Sequence, residues 1–114
     1  MYNKNMKKNT RLFLKTSLYG LGTLVAATMF WRMELFATLI IAGIGVVMMT
    51  SGDQKERMLY ITCAILGSIA EMIAIYFGAW KYATPTVFGI PMWLPFVWGN
   101  AALYIVRMNR VINN

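Results

Sequence analysis

Four apolar runs of nearly bilayer-crossing length alternate with three short polar or turn-forming segments along this chain. A helix needs roughly 20 apolar residues to cross hydrocarbon, and windows of about that length run over residues 12–31, 35–51, 58–80 and 91–108. Between them lie "RME" (Arg32 to Glu34), the polar "GDQKER" (Gly52 to Arg57) and the Pro- and Gly-bearing "ATPTVFGI" (Ala83 to Ile90), with no internal repeat. The pattern predicts an all-α fold: an integral membrane four-helix bundle in which residues 1–114 form a single transmembrane domain. At "FWRMELF" no Gly or Pro turns the chain. A continuous helix there would nonetheless be about 60 Å long, twice the hydrocarbon thickness, so a tight helical hairpin is expected.

Composition agrees with lipid as the solvent. Of 114 residues 59% are hydrophobic and 13% charged, more apolar surface than a soluble domain of this length buries. The net charge of +7 is carried by short segments flanking the apolar runs, a pattern of membrane orientation rather than nucleic-acid binding, and no nucleic-acid partner is expected. Lys4, Lys7, Lys8, Arg11, Lys15, Lys55, Arg57, Arg107 and Arg110 fall on one side of a four-span layout, Arg32 and Lys81 on the other. That bias predicts cytoplasmic N and C termini in a multi-pass protein of the cell (inner) membrane. The first span also meets loose signal-peptide criteria through "VAA" (Val25 to Ala27), but is expected to be retained, with Lys15 snorkelling to the cytoplasmic surface.

Candidate chemistry is narrow. Histidine is absent and the single cysteine, Cys63, sits inside an apolar run. No metal, cofactor or disulfide is expected, and Ser-His and Cys-His nucleophile pairs are excluded. Glu71 stands out. Within a 58–80 span it lies about 20 Å from one end and about 13 Å from the other, too deep for its side chain to reach water. Ala64, Gly67, Ser68, Ala74 and Gly78 share its helix face, so it is expected to face protein. Asn100, nine residues into the fourth window, falls at the same computed depth, and the two are expected to meet on adjacent antiparallel helices. Desolvation favours a protonated Glu71 able to donate to Asn100 or to a ligand. Glu71 is therefore the candidate catalytic residue and Asn100 a candidate ligand contact.

Aromatics gather in "FGAWKYATPTVFGIPMWLPFVWG" (Phe77 to Gly99). Trp80, Tyr82 and Trp93 are placed as interfacial anchors at the ends of the third and fourth windows. Pro91 suits a first helical position, and Pro95 is expected to kink the first turn, giving a rigid cap that sets the angle between the two spans.

The segment "EMIAIYFGAWKYATPTVFGIPMWLPFVWG" resembles part of the polytopic carotenoid hydratase and lycopene-cyclase-type carotenoid cyclase families of bacteria and archaea. The resemblance rests on Glu71, Gly78, Trp80, Tyr82, Gly89, Pro91, Pro95 and Trp98. It implies acid chemistry on a polyene, with Glu71 as proton donor and Trp80 and Trp98 as cation-stabilising faces. Trp80, Tyr82 and Trp98 thus join Asn100 as candidate ligand contacts. The chain departs from the cyclase pattern at "PFVW" (Pro95 to Trp98), where that family has a carboxylate pair after a proline.

Three classes of function stay open. One is an enzyme or binding protein for a lipophilic small molecule of carotenoid or isoprenoid type. A second is a small proton-coupled transporter using Glu71. The third is an accessory subunit of a larger membrane complex, with the small-residue faces of "YGLGTLVAA" and "AGIGVVM" packing on partners in a homo- or hetero-oligomer.

Overall fold

The computed structural model describes residues 4–113, with side chains from Lys7 onward. Residues 1–3 and 114, and the side chain of Lys4 counted in the charge bias, lie outside the described residues. The chain forms α1 (Lys4–Met29), α2 (Glu34–Thr50), α3 (Gln54–Tyr76) and α4 (Leu94–Asn113), with no strand among the described residues. Two helices, over Lys7–Met29 and Gln54–Tyr76, are long and apolar enough to cross a membrane; Glu34–Thr50 is a shorter apolar helix.

α1 and α2 are separate helices joined by a turn in which the Met33 amide donates to the Phe30 carbonyl at 3.0 Å. Ala26 and Ala37 are buried against each other's surroundings beside that turn, and their small side chains let the two backbones approach. Phe30 and Phe36 stack edge to face across it, with centroids 5.3 Å apart.

The third window is displaced toward its polar start. Asp53 caps α3 by accepting from the Glu56 amide at 2.9 Å, so the helix begins at Gln54, inside the polar segment. At the far end α3 stops at Tyr76, not Trp80. Gly78 adopts φ +82°, its amide donates to Ile75 and that of Ala79 to Ala74, the paired bonds of a Schellman ending that favours glycine. The fourth window also shifts: α4 begins at Leu94 rather than Pro91. Pro95 therefore lies in the first turn, where a missing N–H leaves nothing unbonded, and the helix recovers its length by running on to Asn113.

Residues 77–93 form the connection. Within it Val87 and Ile90 pair across a two-residue turn whose central residues, Phe88 and Gly89, both have positive φ, the pattern of a type I′ turn. The connection is tied to α2 by Glu34, which accepts from the Thr86 hydroxyl and from the Met92 amide at 2.8 Å.

α4 packs against all three other helices, whereas α2 and α3 barely touch. Polarity is inverted relative to a water-soluble domain. Leu18, Leu21, Leu35, Leu39, Ile61, Ile65, Ile69 and Ile73 are exposed, while Thr16, Thr23, Ser68 and Asn100 are buried. Such continuous exposed apolar faces are foreign to soluble monomers.

Candidate functional site

Three polar clusters sit at three levels of the bundle. The middle one is built on Asn100, which is 3% exposed. Its Oδ1 accepts from the Tyr60 hydroxyl at 2.7 Å, and its Nδ2 donates to Thr23 Oγ1 and to the Ile41 carbonyl, both at 3.0 Å. One group from each of the four helices thus meets at this amide. Glycines make the room: a Cβ on Gly45 would lie 2.1 Å from the Tyr60 hydroxyl, and one on Gly99 2.4 Å from its ring.

Glu71 is elsewhere. Its Oε1 accepts from the Tyr82 hydroxyl at 2.5 Å and its Oε2 from the Trp98 indole at 2.7 Å. The expected pairing of Glu71 with Asn100 does not form, and Glu71 acts as an acceptor rather than a donor. Register and azimuth explain the missing pair. Glu56 faces Arg107 and Gly67 faces Trp98, an antiparallel register that puts Glu71 level with the start of α4 and Asn100 about seven residues, or about 10 Å, away along the axis. Asn100 also stands about 200° around α4 from Trp98. With α3 ending at Tyr76, Glu71 is about 7.5 Å from the connection end rather than about 13 Å.

Tyr82 arrives from the connection, stacked edge to face on buried Trp93 at 6.3 Å. Burial, and next its hydrogen bond to Glu71, push its phenol well above the usual range, with a smaller opposing contribution from the Trp80 side chain. The proton accordingly stays on the phenol and points at the carboxyl. Of the candidate ligand contacts, Tyr82 and Trp98 touch Glu71, Trp80 adjoins Tyr82 at the surface, and Asn100 belongs to the separate middle cluster.

The third cluster was not singled out from the sequence. Buried Glu56 on α3 accepts from Arg107 Nε at 3.2 Å and Nη2 at 3.3 Å, and from Arg110 Nη1 at 3.1 Å. Arg107 Nη2 also donates to the Met48 carbonyl at 2.7 Å, clamping the end of α2. The available signal was the "D-x-x-E" start of α3 together with two arginines spaced i, i+3 at the end of α4.

Compared with protein-family models, curated proteins and solved structures, the chain matches none. The carotenoid-family likeness therefore has no match beneath it, and function rests on the geometry.

That geometry includes a groove of about 530 Å³ between α1 and α4. Leu21, Leu24, Ala27, Val97 and Ala101 make its apolar wall, and Ser17, Thr23 and Asn100 its polar part. Glu71 does not line it. The small-residue faces expected to pack on partners are largely engaged within the chain: Gly20 lies under Tyr104, Gly22 beside Ile44 and Gly45 under Tyr60, while Gly43 faces open space.

Proposed function

We propose that this is a multi-pass protein of the cell membrane, four spans with both termini cytoplasmic, that binds a lipophilic small molecule in the groove between α1 and α4. The inverted distribution of apolar and polar side chains supports lipid as the solvent, and the basic residues of the α1 start, the α2–α3 turn and the α4 end support the orientation.

The observation that carries the ligand reading is the groove. Its volume of about 530 Å³ falls inside the roughly 300–1,000 Å³ of small-molecule sites, and an apolar wall with few polar groups is the usual composition of such sites. An isoprenoid or acyl chain would lie along Leu21, Leu24 and Val97, with a hydroxyl or carbonyl of the ligand reaching Ser17 or Thr23. Asn100 holds the floor in place through its bonds to Tyr60 and Ile41.

Mass spectrometry of lipid extracted from the protein purified in mild detergent tests this. One lipophilic species near one per chain is expected from wild type and its loss from Ala101→Trp, which fills the groove. Equal recovery from both, or only a sample of bulk lipid, rejects the reading. Proton donation to a polyene by Glu71 is a weaker form of the proposal, because Glu71 lies off the groove with both oxygens accepting. It requires a product in expressing cells that disappears with Glu71→Gln.

A further inference from the structure

Each acidic side chain of this protein except one has a basic side chain or a backbone amide as partner among the described residues. Glu56 holds Arg107 and Arg110. Asp53 caps α3, with its carboxyl held below the usual range chiefly by the Glu56 amide. Glu34 opens α2 and accepts from the Met92 amide. Glu71 has neither a basic partner nor helix-start amides, and Lys81, the nearest basic residue along the chain, forms no ion pair with it.

The surroundings of Glu71 suit a positive charge. Its two hydrogen bonds use one position on each oxygen, and a carboxylate has about four acceptor positions in all. Three aromatic side chains gather there. Trp98 is 39% exposed although its ring abuts Gly67, where a Cβ would come within 2.3 Å. Trp80 is 48% exposed and adjoins Tyr82, whose hydroxyl is on Glu71. Aromatic faces beside a carboxylate attract alkylammonium groups, which are weakly hydrated. A small hard metal ion is a poor match, since it requires several oxygen ligands and no group of three His, Cys, Asp or Glu exists among the described residues.

We propose that Glu71, with the partly exposed indoles of Trp98 and Trp80 and the Tyr82 phenol, forms a binding site for an organic ammonium cation. None of these four residues lines the α1–α4 groove, so the site stands or falls independently of the ligand proposed there. The cation is either a free hydrophobic amine or the choline headgroup of a phospholipid in the adjoining leaflet.

Calorimetric titration of the purified protein in a neutral detergent, with benzyltrimethylammonium and with its uncharged carbon isostere, tests the site. Saturable binding of the cation, at least roughly tenfold tighter than the isostere, is expected. Glu71→Gln, which keeps the shape and an acceptor oxygen, is expected to weaken the cation roughly tenfold or more and leave the isostere unchanged. Equal affinity for cation and isostere, or no saturation by either, overturns the proposal without reliance on any variant. Competition by short-chain phosphatidylcholine, but not phosphatidylglycerol, assigns the site to the lipid headgroup; no competition assigns it to free amines.

Discussion

Glu56 and Glu71 lie fifteen residues apart on the same helix and meet opposite surroundings. Glu56 is buried and held by two guanidinium groups, whereas Glu71 is half-buried and held by an indole and a phenol. Tyr82 turns that difference into a measurable pH dependence. Its pKa in the folded protein lies above the ordinary 10.0, so folding favours the neutral phenol. The associated stability is fully present below pH 10.0 and is lost as pH rises through the alkaline range. Tyr82→Phe removes one hydrogen bond and should lower stability by about 1 kcal/mol at neutral pH. Thermal unfolding in detergent from about pH 8 to about pH 11 should show the gap between wild type and Tyr82→Phe narrowing above about pH 10. Parallel curves across that range would show that the phenol does not donate to Glu71.

The same logic runs through the helices as elements. α3 meets α4 along Gly67, and the absence of a side chain there is what admits Trp98 and brings its indole to Glu71. Gly67→Ala should therefore cost about 1–3 kcal/mol through overpacking and shift Trp98 away from the carboxyl. Gly43→Ala is the matched control on α2, since an added Cβ there meets nothing within 4 Å and helix propensity favours alanine by up to about 1 kcal/mol. Unfolding of the two variants side by side should give opposite signs. Equal effects would mean that the α3–α4 approach is looser than the structure has it. Helix ends follow a related rule: Gly78 ends α3 one turn early and Pro95 starts α4 one turn late, so residues 77–93 form a connection longer than the apolar windows imply.

For the molecule as a whole, the proposed layout of four spans with cytoplasmic termini would place the α2–α3 turn on one side of the membrane and residues 77–93 on the other. Cysteines introduced at Gln54 and Thr86, in a Cys63→Ser background, should report this directly. Thr86→Cys should react with a membrane-impermeant maleimide in intact cells, and Gln54→Cys only after the membrane is opened. Labelling of both positions from outside would dismantle the topology and with it the orientation drawn from the basic residues. The Asn100 cluster is the other whole-molecule feature, since among the described residues it alone draws a group from every helix into one set of hydrogen bonds.

The number of helices, the apolar outer surface and the approximate place of each connection are legible in the sequence. These follow from apolar run length and from the polar or Pro- and Gly-bearing segments between the runs, whereas the Asp53 cap and the Gly78 ending moved α3 about one turn from its apolar window. Glu71, Tyr82 and Trp98 could be singled out one by one, because a lone carboxylate and clustered aromatics are visible as residue types. Which side chains meet is a matter of how the helices pack. Counting residues from a window's end gives depth along an axis, but Glu71 and Asn100 are separated by interhelix register and by rotation about α4, neither of which is written in one helix. The Glu56–Arg107 pair escaped notice for the same reason: it needs the end of α4 folded back against the start of α3, and that alignment is set by side chains packing across the whole length of the two helices.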